Sequence, residues 1–534
     1  MWATGTATDE KDLLEKLHTF LTATGSAFGL AYAGTGGGSL TAYKGGSASV
    51  AETFTITATN STTFSVVGSV SGALANATVG TPYTGTKVQF LISASGAAFV
   101  AGDVFTLSTA PKWTSMLRAR GCEIAATYFN TGQNGPNCLI DGKKVSNGYS
   151  YWYNSTVTMP NDLTFTLREA ETITEYALTS DSTYYPKSWT FDYWNGSAWV
   201  TLDTQTNLSN AWSHDAFRVF PISSPVSAAL YRIHFTAAAT SSYYVYAAEL
   251  RRAPGGINAA MSQYVWKAPG NDGAGEVYVG AHAFRSADAD YYDIELATMD
   301  SYVDGLGLLE QPNCQYNLHL PLWNASQTYW FVADGRRVIV IVKGGTAQYE
   351  SAYLGLYDAY ATPSQNPYPM FLGGSLVTGQ SRAQQNWADT KFKVTAATEY
   401  HRAFAIAGPN GTLSNYATYL TFAQARVRLQ TGAYVPVWAV DNDSGGWSSS
   451  AYNAIWPYAG GIDHLDKNID AGYTLFPIIL SVTTGLLGQL SGVAALSGQD
   501  LTAETLVRVG AVDYMAVPNI NRTHIDDFFA VRLD

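Results

Sequence analysis

The chain has 534 residues and a formal net charge of -12, with 13% of residues charged, 13% aromatic and 46% hydrophobic. At roughly 150 residues per domain, that length predicts three or four domains, each with enough apolar residue for a core. The acidic balance excludes nucleic acid or an anionic membrane as the main partner. The abundance of Gly, Thr, Ser and Tyr favours strands and turns over helices. Cys122, Cys138 and Cys314 are widely spaced without a CxxC pair, which points to core thiols rather than a zinc site or a disulfide framework. Asp9, Glu10 and Asp12 stand where a signal peptide would carry a basic start and an apolar run. The chain is therefore expected to be made in the cytoplasm, soluble and without membrane insertion.

In chain order, the first element is a helix over residues 9–21, DEKDLLEKLHTFL. Leu13, Leu14, Leu17, Phe20 and Leu21 share one face, and Thr8, Asp9 and Glu10 suit a helix start. Its stripe buries either against its own domain or against a neighbouring subunit. The helix and lead-in occupy residues 1–31. Residues 32–115 then read as a small antiparallel β module, with TFTITA, FSVVGSV, KVQFLIS and VFTLST between Gly/Ser/Thr turns. Residues 136–252 contain SWTFDYW-NG-SAWVTLD, two alternating segments around Asn195-Gly196, the strongest short hairpin signal. The spacing of the strands after it predicts a β-sandwich.

Residues 256–375 form a further β-rich domain. The run VIVIV at 338–342 is too short to span a bilayer and reads as a strand. Near its end, TPSQNPYP at 362–369 is expected to be ordered, with Tyr353, Tyr357, Tyr360 and Tyr368 as contact area. Residues 376–534 continue the β style. The fold class is thus all-β and multidomain, built of β-sandwich modules in a beaded array, with one short N-terminal amphipathic helix.

Signals for chemistry are few. No G-x-S-x-G, H-E-x-x-H, P-loop or G-x-G-x-x-G is present. His214-Asp215 is an adjacent pair whose side chains point to opposite faces of a strand. Asp441 to Gly446 opens like an EF-hand loop but has Tyr452 where a bidentate Glu belongs, so it reads as a polar turn. Asp288, Asp290 and Asp293 read as a solvated acidic loop. No stretch suggests paired glycosidase carboxylates, and the expectation is a protein that is not an enzyme.

Two resemblances sharpen this reading. LIDGKKVSNGYSYW (Asp141, Gly142, Trp152), PNDLTFTLREAETITEYALTS, PKSWTFDYWNGSAWVTLDTQTN, YRIHF and AAELRR follow one another over about 115 residues. In order and spacing they resemble the discoidin family (coagulation factor 5/8 type C), close to galactose-binding-like carbohydrate-binding modules. The resemblance implies a jelly-roll sandwich with Trp189 and Trp199 in its core. Outside it, DLLEKLHTFLTATG, APGNDGAGEVYVG, LPLWNASQTYWFVADGRRVIVIVK, YESAYLGLYDAYATPSQNPYPMFLGGS and NRTHIDDFFAVRLD resemble tailed-bacteriophage virion proteins of the baseplate and tail-fibre region.

Together they imply a tail structural protein of the virion, with other tail and baseplate proteins as partners and three-fold or six-fold copies by analogy with tail symmetry. Its sandwich would contribute to recognition of host-surface glycans. Two rivals remain open: a purely structural assembly protein with no ligand site, and a surface-polysaccharide depolymerase. In the discoidin family the variable loops gather at one end of the sandwich. Here that end would hold Tyr149, Tyr151, Tyr153, Tyr184, Tyr185, Tyr243 and Tyr244, with Asn147, Ser182 and Lys187 as polar neighbours. Aromatic rings suit the C–H face of a pyranose, and equally a protein interface. The same family implies a structural Ca2+ between Asp141 and Glu249. Read from the residues alone, these two are a plain turn and a strand-end carboxylate, so both readings stand.

Overall fold

A computed structural model describes the chain apart from residues 1, 26, 111–112, 120, 130–135, 141–151, 155–157, 215, 253–255, 258–261, 271–274, 287–290, 324, 345–347, 375–424, 437–472, 483–484, 511, 519–527 and 534. At its centre a seven-stranded antiparallel sheet runs Trp2–Ala7, Gln327–Ala333, Arg337–Gly344, Gln348–Leu356, Met370–Gly374, Arg426–Arg428 and Tyr434–Pro436. One face, with Phe331, Val338, Val340, Val342 and Leu354, packs on the helix and a five-stranded sheet. That sheet runs Thr114–Ala119, Gln263–Pro269, Glu276–Ser286, Tyr291–Met299 and Gln315–Leu322. The other face, with Val332, Ile339, Ile341, Tyr353 and Phe371, packs on a C-terminal sheet through Leu480, Val493, Val517 and Val531. The middle layer is covered on both sides, so VIVIV is apolar at every position instead of alternating.

The helix, Glu10–Thr22, starts at Asp9, whose carboxylate accepts from the Asp12 amide at 2.8 Å. Leu13, Leu14, Leu17 and Leu21 are buried in the same cluster as the central sheet. Trp266 Nε1 donates to His18 Nδ1 at 3.2 Å from the five-stranded sheet. Of the two destinations open in the sequence, the stripe is buried on its own chain. Residues 2–22 are thus part of this platform and not a separate lead-in.

The modules are nested rather than beaded. After the helix the chain leaves the platform and builds a small sandwich. One of its sheets contains Ala27–Ala33, Val104–Ala110, Glu52–Ala58, Thr63–Gly68 and Gly72–Thr78, and the other Gly38–Gly45, Val88–Ala94 and Tyr83–Thr84. The chain returns as Thr114–Ala119, leaves again for a second sandwich, and returns as Gln263–Pro269, hydrogen-bonded to the strand it left with Ala119 opposite Gln263.

The second sandwich begins earlier than residue 136. Its first strand is Cys122–Ala126, paired with Asn161–Thr172. The sheet continues through Ser227–Ala238, Pro186–Trp194 and Trp199–Gln205, and faces a sheet of Trp152–Asn154, Tyr243–Arg252, Glu175–Ser180 and Arg218–Pro221. Trp152, Phe165, Tyr176, Trp189, Phe191, Tyr231, Phe235 and Tyr243 fill the space between them. Cys122 lies in this core, where burial pushes its thiol up to about 12; Cys314 is partly buried and is also pushed up to about 12 by burial. The side chain of Cys138 lies outside the described residues.

The segment 362–369 meets its own sheet. Asn366 Nδ2 donates to the Tyr357 hydroxyl at 3.3 Å, and Tyr353 and Tyr357 are fully buried while Tyr360 is exposed. Asp293 is not in a solvated loop. It is fully buried in a strand and hydrogen-bonded to His319. Asp288 and Asp290 lie outside the described residues, as does the turn at 441–446.

Candidate functional site: the loop end of the second sandwich

The hairpin turns as its sequence dictates. Gly196 adopts φ +98°, where a Cβ would be strained, and Asn195 Oδ1 accepts from the Ser197 and Ala198 amides at 2.9 Å. Trp189 is buried in the core. Trp199 is not. It stands directly opposite Trp194, so the two share the outer face, and the Arg232 guanidinium lies 4.5 Å above its ring. Asp192 and Asp162 hold that guanidinium at 2.8 and 3.0 Å.

At one end of the sandwich the predicted loops meet. Asp181 Oδ1 accepts from the Thr183 and Tyr184 amides at 2.6 and 3.1 Å, which shapes the 181–185 turn. The Tyr244 amide donates to the Tyr184 carbonyl at 2.9 Å and ties this turn to the strand Tyr243–Arg252. The rings of Tyr184 and Tyr244 lie 5.0 Å apart, tilted by 56°. Tyr185 is half-buried, its ring 6.4 Å from Trp212. Ser182 is exposed and Lys187 half-buried. Tyr149, Tyr151 and Asn147 lie outside the described residues, and nothing is described of the Tyr153 side chain.

Tyr243 is a correction. Neighbours on a strand point to opposite faces, so while Tyr244 faces out, Tyr243 is fully buried. Its ring meets Trp152 edge-on at 5.3 Å and Phe235 at 5.6 Å, and Asn161 Nδ2 donates to its hydroxyl at 3.0 Å. Burial pushes the phenol well above its ordinary value.

Three residues of this end were not among the expected ligand residues. Tyr246 lies 6.4 Å from Tyr244, and His214 lies 5.7 Å from Tyr246. Trp212 sits under Arg218 at 5.2 Å. Strand alternation alone would set Tyr246 on the face of Tyr244, yet Tyr246 is buried. A register shift there sets Ser180 opposite Val245 and Thr179 opposite Ala247, leaving Tyr246 as the extra residue of a bulge, a device that re-aims side chains. The result is a row of rings in which Tyr184 is exposed, Tyr244 and His214 are half-exposed and Tyr246 is buried. Thr179 Oγ1 and Trp212 Nε1 are buried beside it without a hydrogen-bond partner among the described residues.

The calcium pair fares differently. Asp141 lies outside the described residues. Glu249 stands opposite Ala177, away from the loop end, and its carboxylate holds Arg251 at 2.6 Å. A carboxylate committed to a guanidinium does not fit a hard-cation site, which needs several converging oxygens. Among the described residues no group of three or more His, Cys, Asp or Glu is placed to hold a metal ion, and no described helix is long and apolar enough to cross a membrane.

No protein-family model matches the chain, and no curated protein matches it. Solved structures similar to part of it include the family 32 carbohydrate-binding module of NanJ from C. perfringens in complex with galactose, at 16% identity over 26% of this chain and 98% of that one, TM-score 0.22. Chitosan-binding module 2 from a chitosanase/glucanase of Paenibacillus sp. IK-5, in complex with chitotriose, is 17% identical over 24% of this chain and 95% of that one, TM-score 0.21. A pectin-binding carbohydrate-binding module is 14% identical over 28% and 99%, TM-score 0.21. Each of these matches covers about a quarter of this chain.

Proposed function

We propose that this is a non-enzymatic structural protein of a tailed-phage virion, in the baseplate or fibre region, whose second sandwich binds host-surface glycans. The observation that carries the binding role is the row of rings at the loop end, in which Tyr184 is exposed and Tyr244 and His214 are half-exposed, with Tyr246 buried between the last two. Such a row offers pyranose rings an apolar edge, with polar tips to orient them. The virion setting is supported by the resemblance of the flanking strings, with other tail proteins and further copies of this chain as its partners.

Titrating the whole chain against an array of host-surface glycans tests the binding role. Tyr184→Ala with Tyr244→Ala should remove binding to at least one glycan that the parent retains; an unchanged binding profile places the ligand elsewhere. Identifying the proteins that cross-link to this one in intact particles tests the virion setting, and absence of the chain from purified particles overturns it.

A further inference from the structure

The platform contains a cleft of its own, of about 440 Å3, far in sequence from the sandwich rings. Its volume falls within the ~300–1,000 Å3 typical of small-ligand sites. Val277, Met299 and Met370, all buried, form an apolar floor. Tyr278, Tyr368 and Tyr434 line it half-exposed.

The polar groups are held in place by charge pairing. Glu276 accepts from Lys267 Nζ at 2.5 Å and from the Tyr278 hydroxyl at 2.6 Å. Asp300 accepts from Arg428 Nε at 3.1 Å and from Asn313 Nδ2 at 2.9 Å. Arg428 in turn lies 5.4 Å over the Tyr368 ring. A carboxylate has about four acceptor sites, so each retains capacity after these bonds. The four charges cancel, which disfavours an ionic occupant. At the rim Gly275 admits no side chain, because a Cβ there would stand 1.7 Å from Tyr368 Oη.

We propose that this cleft binds a neutral carbohydrate, with Glu276 and Asp300 accepting from its hydroxyls and the tyrosine rings covering its C–H faces. An apolar floor, aromatic walls and fixed acceptors of cancelled charge match a polyhydroxylated uncharged ring. This site is separate from the loop-end row and does not rest on it.

Calorimetric titration of the full chain with neutral methyl glycosides of glucose, galactose, mannose and N-acetylglucosamine, and with their disaccharides, tests it. With Tyr184→Ala and Tyr244→Ala in place, one of these probes should still bind. Adding Glu276→Gln or Asp300→Asn should then weaken it about tenfold or more, the effect of losing a hydrogen bond to a charged group. Glu276 is exposed, so its Gln variant keeps the fold testable should Asp300→Asn unfold. Loss of all binding in the loop-end double variant, or residual binding indifferent to both cleft substitutions, overturns the cleft and leaves the loop-end site standing. Binding that follows only the cleft substitutions does the reverse. A parent chain that binds none of the probes overturns the cleft.

Discussion

Inside the second sandwich, Trp189 Nε1 donates to the Tyr176 hydroxyl at 2.8 Å, and that hydroxyl donates onward to Asp203 at 2.6 Å. Burial first, and the Asp203 carboxylate second, push the Tyr176 phenol far above its ordinary value, so it stays protonated and the relay keeps its direction. Tyr176→Phe leaves a buried indole donor without its acceptor and should cost about 1–3 kcal/mol. Trp189→Ala should cost about 3–5 kcal/mol. Denaturant melts followed by tryptophan fluorescence read both, and a loss under about 0.5 kcal/mol for Tyr176→Phe would show that the relay is not coupled to stability.

Two tyrosines at the same end of the sandwich, one in a strand and one in a turn, should behave oppositely. Tyr243→Ala opens the core beside Trp152 and Phe235 and should cost about 3–5 kcal/mol. Tyr184→Ala changes an exposed ring and should shift stability by no more than about 0.5 kcal/mol. Thermal melts of the two variants side by side decide the matter, and similar shifts would contradict the assigned faces.

The second sandwich leaves and rejoins the platform at paired positions, Ala119 and Gln263. Replacing residues 121–261 with a short Gly/Ser loop should therefore leave the platform folded, since it only closes a hairpin. The one described ion pair that joins the excised segment to the platform, Lys11 to Glu123 at 2.8 Å, involves a mostly exposed carboxylate and is worth ~0–1 kcal/mol. Retained cooperative melting of the shortened chain is expected; an aggregated product would show that the sandwich is needed for the platform to form.

In the small sandwich, Asp103 accepts from the backbone amides of Val100, Thr35 and Gly36 at 2.8, 2.8 and 3.0 Å. The Val100 amide, then that of Thr35, holds its carboxyl below the usual range. A depressed folded-state pKa contributes stability that is present above the unfolded value of about 3.9 and is lost as pH falls through the folded value. Asp103→Asn should flatten the acid limb of the module's melting profile. An unchanged acid limb would assign it to other carboxylates.

How far the sequence shows the fold varies by element. The helix was readable because Asp9 and the Leu13, Leu14, Leu17 and Leu21 stripe are local signals. So was the hairpin, where Asn195-Gly196 needs no distant partner. The nesting was not, because pairing Ala119 with Gln263 depends on residues 144 positions apart that carry no local mark of each other. At the site, alternation separates Tyr243 from Tyr244, but only the bulge opposite Thr179 and Ser180 decides where Tyr246 goes. Trp199 was misplaced because a tryptophan in a strand is usually core, while here Arg232 covers it from outside.

The first strand has one further consequence. Thr4 Oγ1 donates to the Tyr329 carbonyl, 325 residues downstream. At about 5–20 residues per second on the ribosome, its partner strand is translated roughly 15–65 s after it. Each sandwich holds all of its own strands, and both have been translated before that partner exists. They are free to fold early, while the helix's leucine face stays without its sheet in the nascent chain. Assembly therefore runs from the appendages inward, with the body that carries them closing last.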